Sequence, residues 1–442
     1  MPQSATGALV FAPPVTLPLT VDFQGGRLTS DGGWCWVAEA DTALGLSETL
    51  VVAVPDHRRR RGRHALRDLL RQRLYQITAG YADQNDADSL RSDPLLKLVC
   101  GRLPETDADL ASQPTLSRFE NRFSARDCYR LAEALGAVYL RERERSGQPT
   151  HILLDLDSTD APVHGEQEGR AYHGYYGQHM YHPLLVFDGE TGQLITAVLR
   201  PGTVHAGHGA LAILQRIVTR LRQQWPGVAI TIRADAGFAK PEIYTWCEAQ
   251  HMAYSIGLVT NPRLLALAAP LADAAQTASD QAGGRKVRLV DEAHYQAGAW
   301  DAPRRVLIKA EILAPGPNTR FVVTNRTEEP EFLYDAYVDR GQTENWIKDL
   351  KRACFADRLS CHRFLANQVR LLHAAAYTLL HALRTWLVAA GVEPLTLETL
   401  RLRLLKIGGR VRQLATRVHL RLASSHPGEP LWHLLATYRS GS

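Results

Sequence analysis

The chain has 442 residues, a formal net charge of +5, and 45% hydrophobic against 22% charged residues. That length carries two or three domains with real cores, and the balance excludes a disordered or fibrous chain. Six scattered cysteines (35, 100, 128, 247, 354 and 361) with no Cys-x-x-Cys pair exclude structural zinc and fit buried thiols in a reducing compartment.

No charged segment followed by an apolar one opens the chain. The most apolar helical run, Leu371 to Val392, is broken by His373, His381 and Arg384. Neither an export signal nor a bilayer span is expected, and the cytoplasm is the expected compartment.

Residues 1–30 read as an extended arm, and 31–149 as a helical domain suited to DNA. A helical pattern runs from Trp34 to Leu46. Next comes the densest charge run, with Arg58, Arg59, Arg60, Arg61 and Arg63. It leads into an amphipathic helix bearing Leu66, Leu69, Leu70, Leu74 and Ile77, so phosphate contact is expected of the arginines. The acidic stretch Asp83 to Asp93 lacks the spacing of a calcium loop and is assigned to turns and caps. Past Ser112 and Pro114, a short helix would carry Arg118 and Arg122 as candidate DNA contacts, in the manner of a recognition helix. A helix from Asp127 to Ser146 closes this part.

From 150 the hydrophobic period switches to two. Ile152 to Thr159, His182 to Phe187 and Leu194 to Leu199 form a meander of strands. A helix over Ala210 to Gln224 follows, then a strand from Ala229 that ends in Asp235, a helix over Pro241 to Gln250, and a strand over Ala253 to Val259. Three strands, helix, strand, helix, strand is the ribonuclease H-like order. The expected fold is therefore α/β, with a ribonuclease H-like core in 150–260 and 331–362. Segments with β character at Arg285 to Val290, Arg305 to Leu313 and Arg320 to Thr324 make 261–330 a β-rich insertion. Residues 363–442 form C-terminal helices and a basic tail. That tail holds Arg401, Arg403, Lys406, Arg410, Arg412 and Arg417 with no acid among them, and ends in the alternating Arg417-Val-His-Leu-Arg-Leu. It reads equally as a second DNA contact or as packing on the core.

Two strands end in aspartates: Asp155-Leu-Asp157-Ser-Thr159 and Arg233-Ala-Asp235-Ala-Gly-Phe238. On one helix, Tyr337, Arg340, Glu344 and Lys351 would share an arc of about 60°, with Trp346, Leu350 and Ala353 opposite. Two strand-borne aspartates and a helix-borne glutamate form a carboxylate set that can bind two Mg²⁺ for in-line attack on a phosphodiester. Arg340, Lys351 and Tyr337, with Lys348 beside them, would grip phosphates, the arginine offering a bidentate fork. Alternation puts Asp155 and Asp157 on the same face, leaving Asp155 open as an accessory ligand. The Gly/Tyr/His segment from His164 to Tyr181 has no helical metal-ligand spacing, so hairpin packing and DNA-facing contacts are expected there.

The spacing Tyr-x2-Arg-x3-Glu-x6-Lys, met by Tyr337, Arg340, Glu344 and Lys351, resembles the motif of one branch of bacterial DDE transposases. Asp155-Leu-Asp-Ser-Thr, His164-Gly-Glu-Gln-Glu-Gly, Gly174-Tyr-Tyr-Gly-Gln and Arg233-Ala-Asp-Ala-Gly-Phe are similar to phrases of its insertion sequence 1380 family. So are Gly80-Tyr-Ala-Asp-Gln-Asn-Asp-Ala-Asp and Gln113-Pro-Thr-Leu-Ser-Arg-Phe-Glu-Asn upstream. The resemblance implies cut-and-paste transposition at terminal inverted repeats. Asp157, Asp235 and Glu344 would be catalytic and hold two Mg²⁺ (or Mn²⁺), with double-stranded DNA as substrate and a homodimer in the synaptic complex. It prefers Asp157 over Asp155 through its Asp-Ser-Thr. It also implies a terminal DNA hairpin with a flipped base stacked on an insertion aromatic, for which Trp300 and Tyr295 are the candidates. A ribonuclease H-like nuclease or resolvase, and a domesticated DNA-binding protein without activity, are the alternatives.

Overall fold

The computed structural model describes residues 9–11, 17, 19–56, 58, 62–145, 147–372 and 375–441. It divides into two compact units, neither contiguous in sequence. One joins 118–381 to 44–57; the other gathers the described parts of 1–43, 58–117 and 382–442.

The first unit is built on one mixed sheet. After helix α1 (Ala125–Arg145) come β1 (His151–Ser158), β2 (Leu184–Asp188) and β3 (Leu194–Val198). There follow α2 (Ala210–Gln224), β4 (Ala229–Ala234), α3 (Pro241–Ala249), β5 (Ala253–Leu258) and α4 (Pro262–Gln281). Then come β6 (Val287–Tyr295), β7 (Arg304–Leu313) and β8 (Gly316–Thr324), and the helices α5 (Pro330–Val338), α6 (Gly341–Cys354) and α7 (Phe364–Leu372). The strand order is β6-β7-β8-β5-β4-β1-β2-β3. β1, β4 and β5 run parallel, with β2 and β3 antiparallel beyond β1. This is the ribonuclease H-like arrangement expected from the alternation of patterns.

Alternation along β1 and β4 separates a dry face from a charged one. Ile152, Leu154 and Leu156, with Ile230, Ile232 and Ala234, enter a core shared with Leu214, Val218, Leu221 and Trp225. Burying each leucine-sized side chain there contributes about 1.5–3 kcal/mol. Asp155, Asp157 and Arg233 point to the other face.

The topology refines one expectation and corrects another. The strands at 287–324, inserted in sequence between Asp235 and Glu344, join the core's own sheet: β8 pairs antiparallel with β5, Ser255 opposite Thr324, and extends that sheet to eight strands. A free β5 edge would leave a row of N–H and C=O groups unpaired, and β8 satisfies them. Helix α1 was assigned with the N-terminal helices, but the Tyr139 hydroxyl donates to Asp188 at the end of β2, 2.8 Å away. It packs in the catalytic unit's core, so no boundary falls at 149.

The insertion aromatics are also corrected. Trp300 and Tyr295 are 9% and 8% exposed and belong to the same core. Their ring centroids lie 5.4 Å apart, Trp300 meets Tyr244 edge-on, and the Arg304 guanidinium caps it at 5.6 Å. Neither ring offers a face to a base, because a large aromatic gains more by filling the gap between α3 and the added strands.

In the second unit, the helix Trp34–Leu44 packs against Leu66–Thr78 through fully buried Trp34, and Tyr75 donates to Asp41 at 2.7 Å. Gly33 is a position where only glycine fits: a Cβ there would lie 2.3 Å from the Leu405 backbone. The strands β9 (Gly409–Gln413) and β10 (Val418–Leu422) make a two-stranded ribbon whose free side pairs with Leu28–Thr29.

Trp300→Ala is expected to cost about 3 kcal/mol or more of stability, measured by chemical denaturation, with Trp300→Phe recovering part. A stacking aromatic on the surface would leave the denaturation midpoint unmoved.

Candidate active site

The site is built where β1 and β4 end side by side. Ala234 pairs with Leu156, so the next residues, Asp235 and Asp157, leave neighbouring parallel strands together. Each is oriented by its own backbone. The Ser158 N–H donates to Asp157 Oδ1 at 2.7 Å, and Asp235 caps the short turn Ala236–Phe238 by accepting from the Gly237 N–H at 2.9 Å.

The stretch expected as a single helix is two. α5 ends at Val338 and α6 begins at Gly341, with Arg340 as its N-cap. Tyr337 therefore lies on one helix and Glu344 and Lys351 on the next, and the shared 60° arc does not exist. The bend nevertheless brings the groups together. Arg340 Nη1 sits 3.0 Å from Asp157 Oδ2, and Nη2 lies 3.7 Å from Glu344 Oε1. The Tyr337 hydroxyl reaches over Gly257 of β5, where a Cβ would come within 2.6 Å of it. Only glycine permits that approach, a signal readable in Ser255-Ile-Gly257-Leu but not recognised from sequence.

Burial, followed by the negative charge of Asp235, pushes the Asp157 carboxyl up to about 7; Glu344 adds to this and Arg340 opposes it. The Tyr337 phenol is raised, again by burial first. Negative charge thus exceeds what the protein itself neutralises, although Arg340 lies on Asp157.

Asp155 is not a ligand in waiting. It is fully buried, and the Arg233 guanidinium forks onto it, Nε to Oδ1 at 2.6 Å and Nη2 to Oδ2 at 2.7 Å. The Thr343 hydroxyl adds a third bond at 3.1 Å. Both oxygens are spoken for, which corrects the accessory-ligand expectation. Asp155 and Arg233 are register partners, so the pairing follows from strand alignment.

Lys351 is held by Asp160, Nζ to Oδ1 at 2.7 Å, and Gln178 donates to the other Asp160 oxygen at 2.9 Å. Burial would raise Asp160, but the Lys351 ammonium holds it below the usual carboxylate range. Asp160 was missed from sequence because it lies past the end of β1, where alternation no longer places a side chain. Tyr176 was missed as well. Its phenol is pushed up to about 12 by burial and then by the charges of Asp160, Asp157 and Asp235. Its ring packs with His173 and His182, which are in edge-on contact at 5.1 Å.

Of the other expected DNA contacts, Lys348 on α6 and Arg63 are exposed. Arg58 donates to the His64 carbonyl. Arg59, Arg60 and Arg61 lie outside the described residues. Arg118 is exposed, while Arg122 turns to Asp56 at 3.8 Å and onto the Phe119 ring. The helix bearing Arg118, Gln113–Glu120, buries Leu116, Phe119 and Glu120.

Among the described residues no three His, Cys, Asp or Glu side chains gather closely enough to hold one ion. The Glu344 side chain is 58% exposed, and its carboxylate meets Arg340. The donor set still fits a hard divalent cation. It is all oxygen, and burial together with the neighbouring charge of Asp235 holds the Asp157 carboxyl well above its usual range.

The family model described as transposase DDE domain group 1 matches residues 12–439. No curated protein matches. A solved structure, that of a piggyBac transposase synaptic complex with hairpin DNA, is similar at 12% identity and a TM-score of 0.41, covering 86% of this chain and 81% of that one.

Two substitutions separate the aspartates. Folded Asp157 keeps a proton up to about pH 7, the unfolded chain only to about 4. The folded state holds the extra proton between those values, so this group's contribution to stability falls as pH rises through that window. Asp157→Asn should therefore stabilise the metal-free protein by up to ~4 kcal/mol at pH 8 and by less at pH 5. Asp155→Ala leaves Arg233 buried and unpaired and should cost about 3–5 kcal/mol. Thermal melts at both pH values read both effects.

Proposed function

The chain belongs to the transposase DDE domain group 1 family, and from that premise we propose that it cuts and joins DNA at the terminal inverted repeats of a bacterial insertion sequence. The reaction would be metal-assisted phosphodiester hydrolysis followed by strand transfer, carried out by a homodimer in the bacterial cytoplasm. The reading rests on one observation above others: Asp157, Asp235 and the Arg340–Glu344 turn come from three distant parts of the chain to one end of one sheet.

Family members generally use divalent metal ions, which when bound activate the attacking oxygen and offset the charge on the departing one. Asp157 and Asp235 would hold them with Glu344, and Mg²⁺ or Mn²⁺ suits oxygen donors. The chain's own residues do the rest. Burial on β1 fixes the Asp157 carboxylate against its backbone, so its lone pairs have a set direction. Arg340 would exchange its carboxylate partners for the non-bridging oxygens of the scissile phosphate, for which its planar fork is suited. Tyr337, standing over Gly257, would donate to the same phosphate. Lys351, already oriented by Asp160, would contribute charge to the neighbouring phosphate. The attacking group would be water or a 3′-hydroxyl, so no protein nucleophile is required.

The test is incubation of the purified chain and Mg²⁺ with duplex carrying the inverted repeats that flank its reading frame. Cut and joined ends are expected. Asp157→Ala, Asp235→Ala and Glu344→Ala should each abolish cleavage while a gel shift of the same duplex persists. Cleavage of branched DNA without preference for ends, or binding by the wild type with no cleavage, would overturn the proposal.

A further inference from the structure

The basic tail of the second unit folds into the ribbon β9–β10, and its register sorts the charges. In an antiparallel pair, residues directly opposite share a face. Arg410 stands opposite Arg421 and Arg412 opposite His419, whereas Val411 stands opposite Leu420 and Gly409 opposite Leu422. Arg410, Arg412, His419 and Arg421 are all exposed, while Val411 and Gly409 are buried. One face carries Arg410, Arg412, His419 and Arg421, with exposed Leu28 opposite Arg410 on the adjoining strand, and the other carries Val411, Leu420 and Leu422 with Gln413 at its end.

Like charges directly opposite each other on a sheet destabilise it. Proteins place acids between such residues, but residues 409–422 contain none. The acid that does meet the ribbon, Glu105, bonds the backbone and side chain of Gln413, whose side chain belongs with Val411 to the other face. The ribbon is also a fixed platform. Its back packs on the Gly32–Gly33 turn, where a Cβ on Gly32 would lie 2.3 Å from Leu422, and the Gly32 N–H donates to the Ile407 carbonyl at 2.7 Å.

We propose that this face of β9–β10 grips the phosphate backbone of duplex DNA, with Arg410, Arg412 and Arg421 as the contacts. The inference rests on the reading that the chain acts on DNA. Arg410, Arg412 and Arg421 make no ion pair among the described residues, and a rigid face of such guanidiniums, built at a cost in strand pairing, becomes favourable when a polyanion covers it and releases its counterions. The face carries no amide or acid side chain to discriminate bases, so its grip is independent of sequence.

The test measures binding of the full chain to a fluorescein-labelled random-sequence duplex across a salt series. The triple variant Arg410→Thr, Arg412→Thr, Arg421→Thr keeps strand-forming residues, and its melting temperature should equal or exceed the wild type's. Its slope of log K against log salt should be shallower by about 2.7, ~0.9 for each lost phosphate contact. The corresponding triple lysine variant should retain the wild-type slope. An unchanged slope in the threonine variant, or equal loss in the lysine variant, overturns the inference while leaving the proposed function intact. A wild type that binds no duplex overturns both, and binding to anionic vesicles in preference to duplex overturns this one.

Discussion

The buried fork between Arg233 and Asp155 is the constraint on which the rest of the site depends. It joins β4 to β1 at register partners two residues before Asp235 and Asp157, so it sets their side-by-side emergence. The same guanidinium donates a further bond to the Ala336 carbonyl in the last turn of α5, at 2.5 Å. Asp155 also accepts from Thr343 in the first turn of α6. One ion pair therefore touches both aspartate strands and both helices that flank Arg340. Buried pairs of this kind are poor sources of net stability, because desolvation offsets most of the attraction. Their value lies in geometry: few other arrangements satisfy five donors and two oxygens at once.

With that frame fixed, the electrostatics of the open end follow. The fork spends one cation and one anion on each other and leaves the surface acids to find their own balance. Burial first, and then the charges of Asp235 and Glu344 that Arg340 only partly offsets, hold Asp157 at about 7 rather than in the ordinary carboxylate range. Lys351 does not help, because Asp160 already claims it. A site left this negative is poorly suited to hold a phosphodiester unless positive charge is added, and well suited to attract that charge. The stability sacrificed at Asp157 is the physical counterpart of an affinity for divalent ions.

Periodicity made much of this legible. The helix at Ala210–Gln224 and the strand ending before Asp235 lie where their patterns indicated, because each packs one face on a single core and few forces compete with it. The spacing Tyr337-x2-Arg340-x3-Glu344 identified a real convergence while misstating its geometry. A helix wheel assumes continuity, and the break at Asp339–Arg340 has no proline to announce it, only Gly341, which a continuous helix also tolerates. Asp155 and Asp157 are indistinguishable by alternation; what separates them is Arg233, a residue 78 positions away that only strand register brings opposite. Trp300 and Tyr295 failed for a related reason, since an aromatic between strands reads the same whether it faces solvent or core. The strands at 287–324 were visible as strands, but which edge they would cover was not, because pairing partners leave no local mark.

The tail makes the opposite case, in which register adds meaning to a composition that was ambiguous. A run of arginines separated by apolar residues is compatible with a solvated coil, a helix face or a strand, and each disperses the charge differently. As a ribbon, period two concentrates it: Arg410, Arg412 and Arg421 fall on one side because Val411 and Leu420 must fall on the other. Burying the apolar set against Gly32 is thus the same event as collecting the cations, and a slip of one residue in either strand would undo both. The hydrophobic effect, which has no preference for charge, is what assembles the cationic face.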